Sequence, residues 1–144
     1  MEYAVREMNL EDYPAVFALW GRTPGVGLRS LDDSQAGIGQ FLARNPRTCF
    51  VAEEGGAIGA ILAGHDGRRG YIYHLCVDPS ARRRGVGRAL VARAEAALQK
   101  EGIRKAALVC FASNAEGNAF WASLGYIRRD DLTYRNRSLD ENNI

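Results

Sequence analysis

The 144-residue chain contains no apolar run approaching the ~20 residues that a membrane-spanning helix needs. Its opening, Met-Glu-Tyr-Ala-Val-Arg-Glu, lacks the basic-then-apolar order of an export signal. Cysteine is scarce: Cys49, Cys76 and Cys110 are odd in number and far apart, which argues against a disulfide framework. No pair of them has zinc-ligand spacing, so no metal site is expected. Each lies in a β-like apolar stretch, where a buried small hydrophobe is favoured over a catalytic thiol at Cys76 or Cys110. These features imply a cytoplasmic protein with no membrane attachment. Excess charge is missing too. At a net +2 the chain is too close to neutral for general nucleic-acid binding, and its basic residues cluster locally instead. There is no repeat, no low-complexity segment and no sign of a second domain. One domain is expected over residues 1–137, followed by a polar, frayed tail over 138–144.

What is present is enough for one core: 47% of residues are hydrophobic and 25% charged. Residues 2–7 read as a short strand. Asn9 and Asp12 form a capping-box pattern ahead of Tyr13, Val16, Phe17 and Trp20, which recur at helical spacing up to Gly21. Residues 22–31 have no period and read as a pocket-shaping loop. A second helix starts at Ser30 or Asp32 and stops at Asn45-Pro46. Thr48–Ala52, Ala57–Gly64 and Tyr71–Val77 are strands joined by turns at Glu54-Gly55-Gly56 and 65–70, which predicts an antiparallel meander. A long helix runs to about Lys100, with Leu90, Val91, Ala94, Ala97 and Leu98 buried. Lys105–Phe111 reads as a buried strand. Ser113 or Asn114 caps a last helix, and Tyr126–Arg128 and Leu132–Arg135 read as a closing strand pair around Asp130-Asp131.

The most informative stretch joins the third meander strand to the long helix. After Val77 come Asp78-Pro79-Ser80, then Arg82-Arg83-Arg84-Gly85-Val86-Gly87-Arg88. Arginines at a helix start have the wrong sign for the helix dipole. Free N–H groups and glycines at such a start form an anion site. A plain helix start at Ser80, with the arginines on a solvated face, is the competing reading. A dinucleotide turn lacks its third glycine, and a Walker loop lacks its Gly-Lys-Ser/Thr.

Val77-Asp78-Pro79 with Arg82-x-x-Gly85-x-Gly87 resembles the acyl-CoA signature of the GNAT (Gcn5-related N-acetyltransferase) superfamily. Asn114-x-x-Gly117-x-x-Phe120-Trp121-x-x-x-Gly125-Tyr126 is similar to a second, later segment of that superfamily. The segment Gly64–Tyr71 resembles its bacterial YpeA-type branch. The resemblance covers residues 2–135. It implies an α/β (α+β) GNAT fold: a mixed, mostly antiparallel sheet of six to seven strands with four helices, splayed between strands 4 and 5. It implies acetyl-CoA as cosubstrate, an amine-bearing small molecule or peptide as acceptor, and a homodimer as one possible assembly. By the same resemblance, backbone N–H groups over Arg83, Arg84, Gly85, Val86, Gly87 and Arg88 cradle the pyrophosphate, with Arg82 beside them. Backbone groups of Leu75, Cys76 and Val77 pair with the pantetheine arm, and an N–H near Leu75 or Cys76 polarises the thioester carbonyl. Asn114 and Trp121 belong to the same cosubstrate site. Asn114 also suits a plain N-cap.

Acetyl transfer needs a neutral amine. Neutralising a lysine of pKa ~10.4 at pH 7 costs ~4.6 kcal/mol, so a base is useful. The fourth strand has no carboxylate before Asp78. His74 is the candidate base, set against a strand histidine that merely bonds a neighbour. Trp121 stands where the superfamily commonly has a tyrosine acid, and an indole is no usable acid, which leaves Tyr73, solvent or no acid at all. The alternatives are a non-catalytic acyl-CoA-binding module and, more remotely, a basic nucleic-acid-binding domain using Arg82–Arg84.

Overall fold

A computed structural model describes residues 2–144. Five strands, β1 (Ala4–Glu7), β2 (Phe50–Glu53), β3 (Ala57–His65), β4 (Gly70–Val77) and β5 (Ala106–Ala107), form one sheet in chain order. Neighbours are antiparallel except β4 and β5, which are parallel. The helices are α1 (Tyr13–Gly21), α2 (Gln35–Arg44), α3 (Val86–Lys100) and α4 (Ala115–Ser123). The capping box at Asn9 is present: its side chain accepts from Glu11 N, and Asp12 Oδ2 accepts from Asn9 N at 2.9 Å.

The sheet separates two apolar layers, as strand alternation requires. On one face Val16, Leu19 and Trp20 of α1 and Ile38 and Leu42 of α2 pack on Val51, Ala60, Leu62 and Cys76. On the other, Val86, Leu90, Val91, Ala94 and Leu98 of α3 pack on Phe50, Ala52, Ile61, Ala63 and Ile72. Leu90, Val91, Ala94 and Leu98 of α3 are buried as the periodicity predicts, as are Val16 and Trp20 of α1, but Phe17 is 44% exposed and Leu19, off the predicted stripe, is buried instead. Among the described residues no helix is long and apolar enough to cross a membrane.

Five expectations need correction. The sheet has five strands among the described residues, not six to seven. Residues 126–128 and 132–135 carry no strand, and Ile127, Leu132 and Tyr134 are exposed, with no sheet neighbour to bury them. Arg128–Asp130 and Arg129–Asp131 instead pair locally, both at 2.8 Å. The strand expected over Lys105–Phe111 pairs at two residues alone, and Val109 and Phe111 stand 57% exposed. Ser80 does not start α3. It lies in a 3-10 turn, Pro79–Ala81, and the helix begins only after Arg83 (φ +65°) and Gly85 (φ +77°), two left-handed residues that no helix can include. The tail is tied down: Ser30 N donates to Ile144 O and Ser30 Oγ to Asn142 O, both at 2.6 Å.

Candidate active site

Strand β4 carries the site. Its register to β3 pairs Leu62 with Tyr73 and Ala60 with Cys76, so His74 and Leu75 together oppose Ile61. Two residues against one is a β-bulge. Strict alternation would send Ile72 and His74 to the α3 face, and Ile72 does go there. The bulge puts His74 at φ +48° and turns its ring to the α1 side, edge-on to Trp20 with ring centres 4.9 Å apart. Tyr73 stays on that side against Phe41 and Tyr71, at 5.8 and 4.7 Å. A left-handed non-glycine residue costs on the order of 1–3 kcal/mol, so its surroundings must hold it there.

Asp33 is what holds it. Its Oδ1 lies 2.7 Å from His74 Nε2, and its Oδ2 accepts from Arg29 N at 2.7 Å. Asp33 is 6% exposed, the one buried charged side chain among the described residues. It sits in the turn before α2, whose N-cap is Ser34, and Tyr13 Oη donates to its carbonyl at 2.7 Å. It also lines a shallow pocket of about 340 Å³ with Tyr13, Phe17, Leu28, Arg29 and Ile144. Nothing in the sequence marks Asp33 as a site residue. It stands in an Asp-Asp-Ser run that looks like helix-start chemistry, and no local signal sends it across to β4.

Partial desolvation, with the Asp32 carboxylate adding to it, raises the Tyr73 phenol above its ordinary range, although the residue as a whole is 43% exposed; like any phenol near neutral pH it is protonated and can donate. Burial pushes the Cys76 thiol up to about 12, as it does Cys49, so neither is a nucleophile at neutral pH.

The other half of the site is an opening. Beyond Gly70–Ala106 and Tyr71–Ala107, β4 has no pairing with β5, which leaves the edge of residues 72–77 without a strand partner on that side. Leu75 and Val77 pack toward α3, while Cys76 is sealed in the opposite layer. Loop 22–31 lies over the far end of the opening. A Cβ on Gly25 would come 3.1 Å from Asn114 Nδ2, and one on Gly27 would come 3.2 Å from Phe111 Cζ. Arg22 Nε meets Asp78 Oδ2 at 2.9 Å.

The arginine–glycine turn caps this opening. Among the described residues the first turn of α3 has no side-chain cap and no acidic residue, so its N–H groups are left without a side-chain partner. Gly85 takes a left-handed conformation, and a Cβ on Gly87 would lie 3.3 Å from Phe120 Cζ, so Gly87 also permits the close approach of α4. The arginines divide in role. Arg83 and Arg88 are exposed, and Arg82 reaches Glu116 at 3.1 Å on the surface. Arg84 is held by Glu54 through two bonds of 2.9 and 2.8 Å and lies over the Tyr3 ring. Val86 is buried under the sheet, so only its backbone can face a ligand. Asn114 caps α4, its Oδ1 accepting from Gly117 N at 2.9 Å. Trp121 packs between Phe120 and Tyr126, at 5.2 and 5.0 Å. Its surroundings are aromatic packing rather than acid–base partners.

This geometry has relatives. A sequence profile of the acetyltransferase (GNAT) family matches residues 3–126. The chain is 33% identical over 138 residues to acetyltransferase ECA0875 of Pectobacterium atrosepticum, which spans 95% of this chain and 96% of that one. Ard1 from Thermoplasma volcanium superposes with a TM-score of 0.78 at 21% identity, over 88% of this chain and 84% of its own. The aminoglycoside N-acetyltransferase AAC(6')-Iy, solved with a bisubstrate analogue CoA-S-monomethyl-acetylneamine, superposes with a TM-score of 0.69 at 24% identity, over 96% of this chain and all of its own. An opening between β4 and β5, capped by Arg82-x-x-Gly85-x-Gly87, is thus joined by a family match across most of the sequence: the chain belongs to the acetyltransferase (GNAT) family.

Proposed function

We propose that the protein transfers an acetyl group from acetyl-CoA to an amine by direct attack in a ternary complex. One observation carries this reading: the strand that opens away from β5 also presents His74, so a donor slot and a base share β4. The uncapped start of α3, with Arg82, Arg83 and Arg88 beside it, suits a pyrophosphate. The edge of Leu75–Val77 suits the pantetheine amides, as an added strand would. AAC(6')-Iy holds a CoA-derived analogue on a similar fold, which supports the assignment of the opening to this cosubstrate. Acetyl-CoA supplies an acetyl group already activated as a thioester.

The chain's own residues then have separate tasks. A backbone N–H at Leu75 or Cys76 polarises the carbonyl. His74 takes the proton of the attacking amine, and the Tyr73 phenol, protonated at neutral pH, offers one to the departing sulfur. The acceptor is a small-molecule or peptide amine. A cytoplasmic setting fits three cysteines that form no disulfide.

The test is release of CoA and formation of acetylated product over a panel of peptides, polyamines and small amines. Turnover that drops about 10²-fold or more in His74→Ala supports the reading. CoA binding with no turnover on any amine would favour a non-catalytic acyl-CoA-binding module, the reading that Trp121 at the tyrosine position raises.

A further inference from the structure

The contact between His74 and Asp33 has more chemistry in it than a packing role requires. Removing a carboxylate from water is costly unless it is fully bonded, and Asp33 is the one buried charge among the described residues. Both its oxygens are engaged, one by a backbone N–H and one by the imidazole. A carboxylate only accepts hydrogen bonds, so the ring nitrogen 2.7 Å away must carry the hydrogen. In the neutral ring that fixes the Nε2–H tautomer and leaves Nδ1 with a bare lone pair. Among the described residues Nδ1 makes no hydrogen bond, and it is not sealed off either, since Trp20 Nε1 is the single buried side-chain nitrogen or oxygen there without a partner.

We propose that Asp33 is a positioning residue for acetyl transfer. It selects the tautomer in which His74 Nδ1 is the base, and it stabilises the imidazolium once the proton arrives. The proposal rests on the acetyltransferase reading above. In the step, the amine nitrogen bonds to the acetyl carbon and its proton moves to Nδ1. The carbon–sulfur bond breaks, its electron pair leaves on sulfur, and the thiolate takes a proton from Tyr73 or water. Asp33 never touches the reacting atoms. It acts by deciding which nitrogen is free, the logic by which a buried aspartate orients a catalytic histidine elsewhere.

Asp33→Asn is the discriminating variant. Its carbonyl can still accept from Arg29 N while its amide donates to His74 Nε2. The ring is thereby forced to the Nδ1–H form, with the proton on the wrong side. Long-range ¹H–¹⁵N correlation spectra of the ligand-free full chain report the tautomer without reference to activity. The expected result is Nε2–H in the wild type and Nδ1–H in Asp33→Asn. Turnover of the variant should fall about 10²- to 10⁴-fold in kcat, with the KM for acetyl-CoA unchanged. In a His74→Ala background the same substitution should cost nothing further. An Nδ1–H wild type, an Asp33→Asn enzyme within twofold of wild type, or an equal loss on the His74→Ala background would each overturn the proposal. If Asp33→Asn fails to fold, the wild-type tautomer decides alone. A wild type that acetylates no amine overturns the reading beneath the proposal, and the proposal with it. A wild type that turns over beside an indifferent Asp33→Asn overturns the proposal only.

Discussion

Tyr73 is the residue whose surroundings and chemistry can be separated by one atom. Its ring packs on Phe41 and Tyr71, while partial desolvation and the Asp32 carboxylate raise its phenol above the ordinary range. Tyr73→Phe keeps the ring contacts and removes only the donor. If the phenol protonates the departing sulfur, kcat should fall by about tenfold or more, with the KM for acetyl-CoA and the melting temperature unchanged. An unaltered kcat would assign that proton to solvent. Tyr73 and His74 were legible as candidates because few side chains on this strand titrate or donate usefully. The partner of His74 was not. Asp33 is 41 positions away and reads locally as helix-start chemistry. Only a bulge that breaks the pleat brings the two together. A bulge has no dependable sequence signature when its residue is a histidine at positive φ rather than a glycine.

The arginine–glycine turn is an element with a built-in brace. The sequence shows four arginines of one apparent kind, Arg82, Arg83, Arg84 and Arg88, yet the fold spends Arg84 on Glu54 of the β2–β3 turn. Each of the two bonds is charge-assisted, and together they fix the plane of the guanidinium. That brace sets the backbone just ahead of Gly85, within the run from Arg83 to Arg88 whose N–H groups are proposed for the pyrophosphate. Glu54→Gln weakens it while leaving every residue of the arginine–glycine turn unsubstituted. The expected outcome is a rise in the KM for acetyl-CoA on the order of fivefold, with kcat held at saturation. A variant that instead loses kcat at unchanged KM would show that the turn does not depend on the brace. The helices and the meander were readable because period 3.6 and period 2 are printed in the apolar positions. The short β5 was not, since an apolar run looks the same whether or not a partner strand lies beside it.

At the scale of the whole molecule, two long-range ties join segments that the sheet alone does not. Arg6 on β1 bonds Asp12 at 2.7 Å and Glu53 at 2.9 Å, which locks the start of α1 and the end of β2 to the edge strand. Arg6 holds the Asp12 carboxyl below its usual value of 3.8, so this tie contributes stability above that pH and loses it as pH falls through the lower folded value. Asp12→Asn should therefore cost ~1 kcal/mol at pH 7, and the gap to wild type in urea denaturation should close in strong acid. A gap independent of pH would mean that the carboxylate's charge is not the cause. The second tie reaches the active site. Asn143 Oδ1 accepts from Leu31 N and Asp32 N at 3.1 and 3.0 Å, and its Nδ2 donates to Asp32 Oδ2 at 2.9 Å. The tail thus clasps the turn that delivers Asp33 to His74. The clasp is solvent-exposed, so water can replace it and its loss should be modest. Asn143→Ala is expected to lower kcat about fivefold through a less firmly held Asp33, leave the KM for acetyl-CoA alone, and shift the melting temperature little. Repeated on an Asp33→Asn background, the substitution should have no further effect on kcat, because the residue it steadies no longer orients the ring. An equal fivefold loss on both backgrounds would separate the tail from the dyad and make the clasp a local feature of loop 28–33.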